Sequence, residues 1–126
     1  MNYVAVYGTL RVGEGNWAHF LQESKHMGTH RISGFTMVTN QCFPYVFKGD
    51  GEITVDMFEV SDDTFTSLDR LEGYPLHYDR IQIRIDEYTA WIYTNERAAN
   101  RGLAPVPSGD WIDYHPEYRR SYANTK

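Results

Sequence analysis

Tyr3-Val4-Ala5-Val6-Tyr7-Gly8-Thr9-Leu10 sets the fold class. Small, β-branched and aromatic residues run without a polar break and stop at a glycine, the pattern of a buried strand feeding a tight turn. Gly13 and Gly15 loosen the loop that follows, and Asn16 is placed to cap a short helix that carries Trp17, Phe20 and Leu21. The chain thus begins as strand, glycine-rich loop, helix.

Outward from this start the pattern alternates between short strands and short helices. Met27 to Asn40, punctuated by Gly28 and Gly34, reads as two short strands. Phe43-Pro44-Tyr45-Val46-Phe47 runs into Lys48-Gly49-Asp50-Gly51, a turn composition, and Ile53 to Val60 then reads as the returning strand of a hairpin. Ser61 caps a helix with Asp62 and Asp63 in its first turn, an apolar stripe of Phe65, Leu68 and Leu71, and a stop at Gly73 and Pro75. Ile81, Ile83 and Ile85 alternate with polar residues, and Thr89 to Tyr93 follows the Asp86-Glu87 turn, which gives a second hairpin. Residues 95–108 read as a long loop, followed by Gly109-Asp110-Trp111 and a tail with Tyr114, Tyr118 and Tyr122. Six or seven strands with two or three helices predict an α+β fold, a small mixed β-barrel with flanking short helices, as one domain over residues 1–126.

Composition narrows the function. The 126 residues carry 12 Lys+Arg against 17 Asp+Glu, a formal charge of −5, and Arg119-Arg120 is the tightest cationic pair, so no nucleic-acid footprint is expected. No apolar run approaches the roughly 18 to 20 residues that span a bilayer, and no membrane partner is expected. The first residues carry no basic leader and Cys42 is a lone cysteine, which together predict a cytoplasmic protein without disulfides. His26 and His30 share helical spacing in a stretch read as extended, where four residues span about 13 Å, so no metal site is expected. There is no Gly-x-Ser-x-Gly elbow, and Cys42 reads as a buried apolar filler.

Two features can carry chemistry. A glycine at the end of the first strand lets the amides of Gly8, Thr9 and Leu10 point into one concavity suited to a carboxylate or an oxyanion; the plainer reading is a tight turn. Glu72 sits where an apolar helix face ends, beside the partial negative charge of the helix C-terminus, so its pKa is expected to rise and its carboxyl to become able to exchange protons near neutrality. The plainer reading there is a solvated helix-end carboxylate. Asp69, one turn earlier, reads as a structural partner for Arg70, Arg80 or nearby backbone.

Taken in order, these pieces resemble the γ-glutamylcyclotransferase-like family, which includes γ-glutamylamine cyclotransferases and AIG2-like proteins. The residues that carry the resemblance are Tyr7-Gly8-Thr9-Leu10-Arg11 with Gly13 and Asn16, then Phe43-Pro44-Tyr45 with Gly49, then Leu68-Asp69-x-x-Glu72-Gly73-Tyr74-Pro75 with Tyr78 and Arg80, and finally Ala90-Trp91-x-Tyr93 and Gly109-Asp110-Trp111. The paired Y-G-T-L and L-D-x-x-E-G-x-P-x-x-Y-x-R motifs are the specific part.

The resemblance implies a barrel with a cavity at its mouth and a small-molecule γ-glutamyl substrate. It also implies Glu72 as catalytic base and acid, substrate binding by Tyr7, Gly8, Thr9, Leu10, Tyr78 and Tyr93, and no cofactor or metal. The implied reaction closes a γ-glutamyl unit to 5-oxoproline and releases an amine. Arg80 is expected to pair with the acidic helix end instead of substrate. A non-catalytic binding module using the same cavity is the alternative, and the oligomeric state is not read. The chain departs from the family where a Gly-Glu pair is common, with Val55 and Asp56 in those places, which puts the local bulge in doubt. Trp111, Tyr114 and Tyr118 are expected to shape or cover the pocket.

Overall fold

The computed structural model describes residues 1–114 of the chain. Its first strand, β1 (Asn2–Val6), is sequestered on both faces: Ala5 and Tyr7 join one apolar cluster, Val4 and Val6 another. An uninterrupted apolar run fits that double burial. The remaining elements are α1 (Gly15–Phe20), β2 (Lys25–Thr39), β3 (Pro44–Val60), α2 (Asp62–Glu72), β4 (Asp79–Ile85), β5 (Tyr88–Thr94), a 3-10 turn (Glu96–Asn100), β6 (Ala104–Pro105) and α3 (Trp111–Tyr114). The strands make one curled, half-barrel sheet in the order β4-β5-β1-β3-β2-β6. β1 runs parallel to β5 and antiparallel to β3, and β4–β5, β2–β3 and β2–β6 are antiparallel. The architecture is the expected mixed α+β fold with few short helices.

Several local expectations are corrected. Lys48 to Gly51 is not a turn: β3 continues through it and stays beside β2. Ser33 pairs with Glu52 and Phe35 with Lys48, so residues 49–51 bulge opposite Gly34. The glycines are there for close approach, because a Cβ on Gly49 would lie 2.1 Å from the Thr36 hydroxyl oxygen and one on Gly51 2.8 Å from the Phe35 carbonyl oxygen. β2 is likewise one strand, bent at Gly28 and Gly34, whose φ angles of 98° and 94° are left-handed and absorb its two register shifts.

The hairpin turn falls instead at Asn40 to Phe43, where the Asn40 side-chain oxygen accepts from the amides of Cys42 and Phe43. Cys42 is exposed there, not a core filler. Asn16 lies inside α1, not at its cap; its side-chain amide donates to the Thr9 hydroxyl.

α2 forms as its sequence dictates. The Ser61 hydroxyl accepts from the Thr64 amide, and Gly73 closes the helix in the left-handed conformation at φ 67°. Leu68 is fully buried and Phe65 packs on the same cluster, but Leu71, the expected third member of the stripe, is exposed. At about 100° per residue the inward phase after Phe65 and Leu68 returns at position 72. A carboxylate therefore occupies the place where the helix pattern calls for an apolar residue.

Candidate active site

The parallel strands β1 and β5 end side by side, and the hydroxyl of Tyr7, just past β1, donates to the carbonyl of Tyr93 on β5 at 2.8 Å. A cavity of about 50 Å³ opens at these strand ends, lined by the run Ala5 to Leu10, by Phe43 and Pro44, and by Glu72, Tyr78 and Tyr93. That is room for a few water-sized groups. Tyr7, Gly8, Thr9, Leu10, Glu72, Tyr78 and Tyr93 all meet on this one cavity, although they come from the turn after β1, from α2, from the loop before β4 and from β5.

The Gly8–Leu10 turn is held from behind. Arg11 donates its amide to the Gly8 carbonyl at 3.0 Å, and the Thr9 carbonyl accepts from the amides of Asn16 and Trp17, both at 3.1 Å. With the Gly8 and Thr9 carbonyls engaged inside the protein, the backbone groups these two residues have left for a ligand are N–H donors, which suit an anionic group. Gly8 is required by proximity, since a Cβ there would meet Pro44 Cγ at 2.9 Å.

Glu72 is the charged side chain among the described residues on the cavity. Burial pushes its carboxyl up from 4.5 to about 7, because removing water disfavours the ionised form. The helix end and the apolar stripe predicted the direction of this shift; burial is the cause found. A carboxyl group poised there can accept a proton and return it near neutral pH.

Three phenols surround this acid. Burial, neighbouring tyrosines and the Glu72 charge raise Tyr7 well above its ordinary value, and burial, Glu72 and Tyr45 do the same for Tyr78. Tyr93 is raised by burial and by its contact with Asp69. All three remain protonated, and their protons are committed within the protein: Tyr7 to the Tyr93 carbonyl, Tyr78 to the Pro44 carbonyl at 3.0 Å, and Tyr93 to Asp69 Oδ1 at 2.8 Å. Toward a ligand they can present ring faces and hydroxyl oxygens.

Asp69 is the structural partner anticipated for it. Arg80 donates to both of its oxygens, at 3.0 and 3.2 Å, and the same guanidinium lies 4.1 Å from the Tyr74 ring centroid and 4.3 Å from that of Trp91. Arg80 therefore braces the helix end that carries Glu72 and does not face the cavity.

Sequence reasoning missed a second brace. Asp56 is 2% exposed and accepts from Arg11 Nε, the Val12 amide and the Thr29 hydroxyl, with His26 Nε2 at 3.3 Å. Burial works to raise its carboxyl, but the Thr29, Val12 and Arg11 contacts outweigh that and hold it below its ordinary value. Arg11 also reaches Asp110 at 2.9 Å, so the Gly109-Asp110-Trp111 segment is tied through Arg11 to the turn beside the cavity. The signal was the acidic position at Asp56 itself. β3 carries no extra residue at Val55 and Asp56; the bulge at this level lies on β2, between His26 and Thr29.

Trp111 does not cover the cavity; it is buried in the core cluster with Tyr7 and Phe35, and Tyr114 stacks on it. Tyr118 and Tyr122, like Arg119 and Arg120, lie outside the described residues. Among the described residues no group of three His, Cys, Asp or Glu side chains could hold a metal ion. His26 and His30 both lie on β2, on either side of its bend at Gly28. No helix among the described residues is long and apolar enough to cross a membrane.

The arrangement is a curled α+β sheet with one buried carboxyl group, Glu72, on a small cavity at its strand ends. The chain belongs to the family described as "Gamma-glutamyl cyclotransferase, AIG2-like", whose model matches residues 4–113. It is 33% identical over 121 residues to a candidate gamma-glutamylcyclotransferase of Methanocaldococcus jannaschii, covering 90% of this chain and 98% of that one. It is 28% identical over 110 residues to the gamma-glutamylcyclotransferase family protein YtfP of Escherichia coli, covering 87% and 96%. Among solved structures it resembles an uncharacterised protein of Pyrococcus horikoshii, with a TM-score of 0.78 and 25% identity over 98% of both chains. An AIG2-like protein of mouse superposes with a TM-score of 0.72 and 25% identity over 87% of this chain and 88% of that one.

Proposed function

We propose that this protein is a γ-glutamylcyclotransferase-type enzyme that converts a γ-glutamyl amine or γ-glutamyl amino acid to 5-oxoproline and the free amine. The observation that carries the reading is Glu72, a carboxyl group raised to about 7 on the same cavity as the Gly8–Leu10 amides. The reaction needs a group that takes a proton from the attacking α-nitrogen and gives one to the departing nitrogen, and a single carboxyl can do both. The new C–N bond forms between the α-nitrogen and the γ-carbon, and the old bond from that carbon to the amine breaks; no water is consumed.

Ring closure is intramolecular, so the site's task is to hold the substrate folded. The turn amides bind its α-carboxylate or stabilise the oxyanion, while Tyr7, Tyr78 and Tyr93 wall the folded chain. Neither a cofactor nor a metal enters any of these steps. A single domain over residues 1–126 acting in the cytoplasm belongs to the same proposal.

The test is incubation of wild type and Glu72→Gln with γ-glutamyl-alanine, γ-glutamyl-ε-lysine and glutathione, followed by mass spectrometry for 5-oxoproline. Product from the wild type and a loss of at least a hundredfold in the variant is the expected outcome. A ligand that stabilises the fold and returns unchanged would identify a binding module instead.

A further inference from the structure

Asn16 lies in the first turn of α1 and not at its cap, a place where a short polar side chain competes with the backbone and lowers helix propensity. Its contacts give it another task. The first amides of a helix have no partner within it, and those of Asn16 and Trp17 both donate to the Thr9 carbonyl at 3.1 Å. The Asn16 side chain reaches the same residue again, its amide nitrogen donating to the Thr9 hydroxyl at 2.7 Å. Thr9 is thus held at its main chain and its side chain together.

The second bond decides which way the hydroxyl works. A threonine hydroxyl has one proton to give and lone pairs to receive with. An amide nitrogen can only give, so the Thr9 oxygen receives from Asn16 and its own proton is left for another acceptor. Among the described residues Asn16 is the sole hydrogen-bond partner of that hydroxyl, and Thr9 lines the cavity. The other hydroxyls on the cavity differ: Tyr7, Tyr78 and Tyr93 give their protons to the Tyr93 carbonyl, the Pro44 carbonyl and Asp69. Thr9 therefore holds the side-chain hydroxyl proton that the described cavity leaves uncommitted, in the same turn as the Gly8–Leu10 amides. A carboxylate has room for about four donors on its two oxygens, so this hydroxyl and the turn amides can share one.

We propose that Asn16 is a positioning residue: by giving its amide proton to the Thr9 oxygen, it makes the Thr9 hydroxyl a donor to the α-carboxylate of the substrate. This rests on the cyclotransferase reading and adds what fixes the polarity of its anion site. That carboxylate is ionised in the ground state and in the transition state alike, so losing the bond raises KM more than it lowers kcat.

The test measures kcat and KM for Asn16→Asp, Thr9→Val, Thr9→Ser and the double variant of Asn16→Asp with Thr9→Val. The substrate is whichever of γ-glutamyl-alanine, γ-glutamyl-ε-lysine and glutathione the wild type turns over. Calorimetry gives the dissociation constant of 5-oxoproline, which keeps the α-carboxylate, for the same proteins. Asp has the shape of Asn and suits the first turn of a helix, so Asn16→Asp should melt no lower than wild type. It accepts where Asn donates, however, and draws the Thr9 proton away from the cavity. The expected result is a rise of about tenfold in KM and in the 5-oxoproline dissociation constant for Asn16→Asp and for Thr9→Val, with kcat changed far less. Thr9→Ser, which keeps the hydroxyl, should recover most of the binding. The double variant should bind no worse than Thr9→Val, because both changes remove the same bond. Binding by Asn16→Asp equal to wild type, Thr9→Ser as weak as Thr9→Val, or losses that multiply in the double variant overturns the proposal and leaves the cyclotransferase reading standing. A wild type that binds 5-oxoproline but turns over none of the three overturns that reading, and the dissociation constants then decide this proposal by the same comparisons. A wild type that does neither overturns both.

Discussion

Replacing Glu72 by Gln is expected to make the protein more stable, chiefly at high pH. A carboxyl group whose value moves from 4.5 to about 7 on folding binds a proton more tightly in the native state than in the unfolded chain. Between those two values the native state holds more protons, so stability falls as pH rises through the window, by at most about 3 kcal/mol. Glu72 is not sealed off, since it lines a cavity open to solvent, and water there reduces the effect to about 1–2 kcal/mol. Gln keeps the shape but has no charge to bury. At pH 8.5 Glu72→Gln should melt about 4–8 °C above wild type for a domain of this size, and at pH 5 less than a third of that margin should remain. Other carboxylates, Asp56 included, titrate in both proteins and cancel in the difference. Thermal unfolding by circular dichroism at the two pH values measures it. A margin equal at both, or a variant less stable at pH 8.5, would refute the claim that burial perturbs this carboxyl.

Three further outcomes follow from the same geometry. The kcat/KM of the wild type for a γ-glutamyl amide should rise with pH and level off above about 7, because the base must be ionised; a profile flat from pH 5 to 8 would exclude Glu72 as the base. Asp56→Asn should cost about 3 kcal/mol in urea denaturation, since Arg11 loses a buried carboxylate partner, and Asp56 opposes Glu72 in sign: its low value gives stability present above the unfolded carboxyl value and lost as pH falls through the folded one. Gly8→Ala should lower kcat/KM at least tenfold with a stability loss of only about 1–2 kcal/mol, because its Cβ would sit 2.9 Å from Pro44 Cγ and shift the turn; unchanged kinetics would remove the turn from the site.

The parts of the fold that were legible in the sequence are those where local chemistry and tertiary structure agree. α2 has its cap at Ser61 and its left-handed stop at Gly73, and the β4–β5 hairpin follows the Ile81, Ile83, Ile85 alternation. Gly49-Asp50-Gly51 misled because glycine serves turns and close strand approach alike, and the crowding by Thr36 and Phe35 is a long-range fact. Cys42 misled for a similar reason: its apolar character says nothing of a turn set by the Asn40 side chain.

Of the site, Glu72 was readable because a carboxylate follows an apolar stripe, and the turn because glycine ends a buried strand. Their meeting was readable only through the family resemblance, since α2 and β1 are far apart in the chain. The commitment of Tyr93 to Asp69 and the Arg11–Asp56 brace were not readable, because each depends on which strands lie side by side.

The central claim, intramolecular ring closure driven by Glu72, is tested most directly by product analysis in ¹⁸O-enriched water with a γ-glutamyl amide as substrate. Wild type should yield 5-oxoproline and amine in equal amounts with no ¹⁸O in the ring product, and Glu72→Gln, folded by circular dichroism, should yield neither at a comparable rate. Release of ¹⁸O-labelled glutamate by the wild type, or undiminished 5-oxoproline formation by the variant, would contradict it.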